Sequence, residues 1–253
     1  MNQFLRSFIK VILTILLVLS LVSFILSLSF FQFTSHNNLE PRVTAFVEQE
    51  YSKQIQNNPE DFEKTRSDII EDCSNNSEID YFLENQDIIE KIHINCSGIN
   101  NEMGDERLIE IISNNLFNSV YYKEYDCSII NCFTNAETNP ENVTVIFSKK
   151  ANDFFFKFTI LFLIVSLVLI ALLILLNKPK FTVFYNLAPA FLISGLLFLV
   201  GNPLSNLTKE EPFSSLITSL SKNLSFNFLM LLILGAIFLA LAILFNLLKK
   251  KSK

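Results

Sequence analysis

The chain has no tryptophan, only five glycines and only two histidines, His36 and His93, in 253 residues. A Ser-His-Asp hydrolase needs a positioned histidine with a nucleophile beside it. His93 is available, but no G-x-S-x-G turn presents a serine to it. There is also no D-x-D-x-D-G calcium loop and no G-x-x-x-G helix seam. Acid is missing from most of the sequence: all 25 Asp and Glu lie in 40–153 and 210–211. Four apolar runs, 11–33, 158–177, 183–201 and 226–248, contain no Asp, Glu, Lys, Arg or His. Ion and proton pathways rest on ionisable groups at membrane depth, so this absence weighs against a channel or transporter. Segment 34–152 carries nine Lys/Arg against 22 Asp/Glu, a net charge of −13, which disfavours nucleic acid as a partner.

What is present is apolar length. Half the residues are hydrophobic, and 26 are Phe. A hydrocarbon core about 30 Å thick takes about 20 apolar residues in a helix, and each run is of that order. Lipid cannot hydrogen-bond a bare backbone, so the runs are expected to be helices. The fold class predicted is an all-α polytopic membrane protein with four transmembrane helices. The first run is longer than the roughly 7–15 apolar residues of a cleaved signal, so 1–33 is read as a signal-anchor. In the third run, Pro189 withholds a donor and crowds the Tyr185 carbonyl, which predicts a kink. Asn186 is suited to bond across helices, so Asn186 and Pro189 are the candidate helix-contact residues.

Charge gives the orientation. Residues 1–10, 178–180 and 249–253 hold eight Lys/Arg and no acid. Positive flanks stay cytoplasmic, which predicts a multi-pass cell-membrane protein with both termini on the cytoplasmic side and 34–152 and 202–225 extracytoplasmic. Residues 153–253 form the three-helix membrane region. Within it Phe213, Leu216, Ile217, Leu220 and Leu224 recur at helical spacing, which predicts an exterior amphipathic helix at about 210–224.

Segment 34–152 has the size of a domain and a mainly helical apolar pattern. Val43, Phe46, Val47, Tyr51 and Ile55 share one face. Asn58-Pro59-Glu60-Asp61 reads as a capped helix start, and Phe62, Ile69, Ile70 and Cys73 follow on one stripe. A third helix is expected over 78–92, with Ile79, Phe82, Leu83 and Ile89 inward, and a fourth over 105–122, with Ile109, Ile112, Leu116 and Val120 inward. V-T-V-I-F at 143–147 reads as a short strand or an extended lead into the second span.

Cys73, Cys96, Cys127 and Cys132 all fall on the proposed exterior, where disulfides are the default. Three pairings are open, and nearness in sequence favours Cys73–Cys96 and Cys127–Cys132. His93-x-x-Cys96 and Cys127-x4-Cys132 do not have the tight paired spacing of structural zinc sites, so no metal and no other cofactor is expected. N-x-S/T sequons begin at Asn75, Asn95, Asn142, Asn206 and Asn223, all on the same proposed side. The acidic clusters Glu60-Asp61-x-Glu63, Glu71-Asp72 and Asp105-Glu106 read as a solvated face.

Four spans with a large first exterior loop resemble the claudin-like layout in outline. Those proteins carry a W…G-L-W…C…C signature, which a chain without Trp lacks. Tetraspanins place the large loop between spans 3 and 4 and carry C-C-G, and this chain does neither. No residues are carried over from either. The function expected is that of a non-enzymatic cell-surface protein whose extracytoplasmic domain binds a protein or envelope partner. Its partners are then the lipid bilayer and a protein or a second copy of itself. An accessory subunit acting through its helices, and a membrane-anchored exterior enzyme using His93, are the alternatives.

Overall fold

A computed structural model describes residues 3–81, 92–134, 140–177, 180–200 and 214–251. The chain divides into two compact units, 1–33 with 155–253, and 34–154. The described residues are mostly helical, with two short strands.

The first unit is built from α1 (Gln3–Thr34), α6 (Lys149–Leu176), α7 (Phe184–Val200) and α8 (Ser214–Lys251), with a 3-10 turn at Lys180–Val183. Three helices, Phe4–Thr34, Lys149–Leu176 and Leu220–Leu248, are long and apolar enough to cross a membrane. Helix α7 has 17 residues, a rise of about 25 Å at 1.5 Å per residue, short of the 30 Å of hydrocarbon. The inner stripe of α1, Leu17, Leu21 and Ile25, packs with Leu169 and Leu173 of α6, Phe191 of α7 and Phe228 of α8. The outward faces are equally apolar: Ile15, Leu19, Leu161, Ile164, Leu229 and Ile233 are all exposed. Water does not tolerate apolar surface on that scale, whereas lipid does.

Helices α7 and α8 approach closely through reciprocal glycines. A Cβ on Gly195 would lie 3.1 Å from the backbone N of Leu232, and one on Gly235 would lie 2.9 Å from the backbone N of Leu192. No G-x-x-x-G is needed, because each helix supplies one glycine opposite the other's leucine. Helix α8 also corrects an expectation. The separate amphipathic helix at 210–224 and the span at 226–248 are one continuous helix from Ser214 onward, with 210–213 outside the described residues. No Gly or Pro occurs between 214 and 234, so nothing in the backbone stops the helix where composition turns apolar.

The second unit contains α2 (His36–Asn57), α3 (Pro59–Asn75), β1 (Glu78–Tyr81), β2 (Ile92–Asn95), α4 (Asp105–Tyr121) and α5 (Ile129–Thr134), followed by a 3-10 segment, Pro140–Phe147. Its core joins Val47 of α2, Ile69 and Cys73 of α3, Ile79 and Ile94 of the strands, and Leu108, Ile112 and Leu116 of α4. Helix α3 starts with Pro59 in its first turn, but the Asn58 side chain makes no cap bond. The helix expected over 78–92 is replaced, at its described ends, by an antiparallel pair with Ile79 opposite Ile94 and Tyr81 opposite Ile92. Residues 82–91, with Phe82, Leu83 and Ile89, lie outside the described residues. Ile92-His93-Ile94 alternates with period two and is β-branched at both apolar positions, which suits a pleated strand. The short strand or extended lead expected at 143–147 is 3-10 helix instead. Pro140 opens that segment without a donor for a ladder, and Val145 is fully buried.

Candidate functional site

Helices α2 and α4 pack side by side, and their shared surface carries an open concavity. The contact is apolar beneath and polar at the rim, where Thr44 Oγ1 donates to Asn114 Oδ1 at 3.2 Å. One stretch of the groove, about 540 Å³, is lined by Glu40, Thr44 and Glu48 of α2 with Glu110 and Asn114 of α4. A second stretch, about 650 Å³, runs on past Glu48 and Ser52 to Glu106 and Arg107. Glu48 and Glu110 line both. Its charged residues are Glu40, Glu48, Glu106 and Glu110 against Arg107, a net of −3. Arg107 is engaged with Glu110 at 2.5 Å and Glu40 with His36, which leaves Glu48 and Glu106 as the carboxylates unpaired among the described residues. Pro41 also lines the groove. It has no N–H, so the Asn37 carbonyl one turn earlier receives no donor from position 41.

Glu40 ties the groove to an aromatic cluster. His36 Nδ1 lies 3.3 Å from Glu40 Oε2, and His36 Nε2 lies 3.2 Å from Asn118 Oδ1. The imidazole meets the rings of Phe117 and Tyr121 edge-on at 5.1 and 5.0 Å, and Tyr122 at 5.9 Å. The Lys149 ammonium sits 5.9 Å from the Tyr122 ring, a cation on an aromatic face. Burial, reinforced by Tyr122 and Asp153, raises the Tyr121 phenol above its ordinary value, and a hydrogen bond with the His36 backbone opposes that shift. The partners of His36 named here lie 81 or more positions away along the chain, except Glu40 at i+4, which was the one local signal.

No protein family, curated protein or solved structure matches the chain. The site is therefore read from its own chemistry.

The candidate residues fall as follows. Cys73 is bonded to Cys96, and Cys127 to Cys132, with Cα separations of 5.1 and 5.4 Å. The first bond ties the end of α3 to the end of β2 beside the core, and the second closes the turn into α5. Asn75 and Asn95 are exposed and Asn223 is half-buried on α8. The Asn142 side chain and all of Asn206 lie outside what is described, as does the His93 side chain. Asn186 donates to Asn177 Oδ1 at 3.3 Å, within its own unit, and Pro189 lies inside α7 with its ring exposed. None of these lines the α2–α4 groove; of its carboxylates, Glu106 was read from sequence as part of a solvated face, and Glu40, Glu48 and Glu110 were not singled out.

Proposed function

We propose that the protein is a non-enzymatic membrane protein that displays residues 34–154 outside the cell, where the α2–α4 groove binds a basic segment of a partner protein. The observation that carries this reading is the groove itself: an open channel lined by four carboxylates and one arginine, with Glu48 and Glu106 unpaired among the described residues, connected through Glu40 to a histidine–aromatic cluster. Carboxylates attract Lys and Arg side chains along the groove, and ring faces such as Tyr122 accept a cation at its end. An open, solvated groove suits an extended chain better than a small reactant held away from water.

The membrane part of the proposal has α1, α6, α7 and α8 crossing a bilayer with both termini on the cytoplasmic side. Arg6 and Lys10 at the start of α1 bond to Leu176 and Asn177 at the end of α6. Tyr185 at the start of α7 donates to the Ala242 carbonyl late in α8. These contacts support an alternating up-and-down path with the basic segments gathered at one end, as positive flanks require. Helix α7 would complete its crossing with the flanking 3-10 turn.

The experiment is site-specific photo-crosslinking on intact cells. A photoreactive side chain at Ser52, in the groove, is compared with one at Ser67, exposed on α3. The proposal predicts a discrete crosslinked species from Ser52 that is absent from Ser67 and is lost in a Glu48→Lys/Glu110→Lys background. Equal crosslinking from both positions, or none from Ser52, would remove the groove as the binding surface.

A further inference from the structure

The basic end of the helical unit holds a cluster of donors larger than its own acceptors can use. Arg6 and Lys10 are one turn apart on α1 and lead directly into its inner stripe at Leu13, Leu17 and Leu21, so both point along the packed face. Both are half-buried. Arg6 Nε donates to the Leu176 carbonyl at 2.9 Å, and Lys10 Nζ to Asn177 Oδ1 at 2.7 Å. The same Asn177 oxygen also receives Thr182 Oγ1 at 3.2 Å and Asn186 Nδ2 at 3.3 Å. An amide oxygen has two lone pairs, and here three donors converge on it. Guanidinium and ammonium together offer eight N–H groups, of which two are used in these bonds. Neither cation forms an ion pair among the described residues. The unit's only acids, Glu210 and Glu211, precede α8, whose opposite end meets Tyr185 at Ala242.

More positive charge is sited at the same end. Lys180 opens the 3-10 turn that carries Thr182. Phe181 stacks on Phe245 at 6.1 Å, four positions before Lys249-Lys250-Lys251 on α8. A half-buried pair of cations with surplus donors, at the mouth of an apolar bundle and with no carboxylate beside it among the described residues, calls for an anion that can reach the bilayer surface. We infer that Arg6 and Lys10, with the second amide N–H of Asn186, form a binding site for the phosphate of an anionic phospholipid headgroup, whose acyl chains lie along the apolar outer faces of α1 and α6. Arginine takes phosphate oxygens in a fork, lysine takes them as a point charge, and the Asn186 amide adds a neutral donor beside them.

This inference rests on the membrane reading above, and its test separates the two. The full chain is reconstituted in nanodiscs of phosphatidylcholine with phosphatidylglycerol, extracted, and examined for retained lipid by native mass spectrometry. Phosphatidylglycerol is expected to be retained over phosphatidylcholine by about 30-fold, at the usual strength of two basic side chains near an anionic surface. Arg6→Gln with Lys10→Gln should abolish the preference, and Arg6→Lys with Lys10→Arg should preserve it. Should the first variant fold poorly, the charge-conserving one decides: loss of preference there overturns the site. Inorganic phosphate should not displace the lipid, and displacement would overturn the lipid as occupant. A chain that inserts but retains both lipids equally refutes the site alone. A chain that does not insert refutes the membrane reading with it.

Discussion

Replacing Cys73 and Cys96 together by alanine should loosen unit 34–154 far more than replacing Cys127 and Cys132. The first bond spans 23 positions and the second only five. Loop-closure entropy makes the first worth about 3 kcal/mol and the second about 2. The structure widens that gap. Cys73 and Cys96 are both buried and belong to the core with Ile69, Ile94, Leu108 and Ile112, so their loss also removes packing around α4. Cys127–Cys132 closes a turn outside that cluster. A loss of about 3 kcal/mol is about two powers of ten in the local opening equilibrium. Amide hydrogen exchange on the full chain reads this directly at Ile94 and along Leu108–Leu116. Protection there should fall about a hundredfold in Cys73→Ala/Cys96→Ala, and clearly less in Cys127→Ala/Cys132→Ala. Equal loss in the two variants, or unchanged protection of α4 in the first, would refute the assignment of the 73–96 bond as the brace of this core.

Three further outcomes follow from single sites. Gly235→Ala should lower the thermal stability of the detergent-solubilised protein, at a cost of about 1–3 kcal/mol, because the new Cβ meets backbone as well as side chain at Leu192. Gly104→Ala, with nothing within 4 Å of its Cβ position, should be close to neutral in the same assay. Ser113→Ala should stabilise unit 34–154 by about 1 kcal/mol in chemical denaturation, since its hydroxyl is fully buried and without a hydrogen-bond partner among the described residues. Tyr121, raised by burial, should titrate later than an ordinary phenol. Its neutral form is the one favoured in the fold, so its contribution is intact below pH about 10 and is lost as pH rises beyond that. Absorbance at 295 nm should show a late component that Tyr121→Phe removes.

The helices were legible where one period dominated. In α4, Ile109, Ile112 and Leu116 recur at helical spacing and are buried, and the uncharged runs of α1 and α6 admit no other structure in lipid. The strands were obscured because Ile79 fits an inward position in either a helix or a strand, and only pairing with Ile94 decides between them. Helix α8 was read as two elements because its composition changes from polar to apolar. Composition sets a helix's surroundings, whereas only Gly, Pro or a cap sets its end. The groove could not be read at all. Glu48 and Glu110 are 62 positions apart, and neither has a local pattern to mark it. They meet because the apolar faces of α2 and α4 share one core, which is a tertiary fact. The hub at Asn177 was hidden for the same reason: Lys10 lies 167 positions away.

The central claim is that the segregated charges mark two sides of one membrane, with unit 34–154 on the outside. Single cysteines at two exposed positions, Ser67→Cys on α3 and Ser7→Cys on α1, test it with a membrane-impermeant maleimide on intact cells. The account predicts that Cys introduced at 67 is labelled in intact cells, while that at 7 is labelled only after lysis. Labelling at 7 with protection at 67, or equal labelling of both in intact cells, would contradict it.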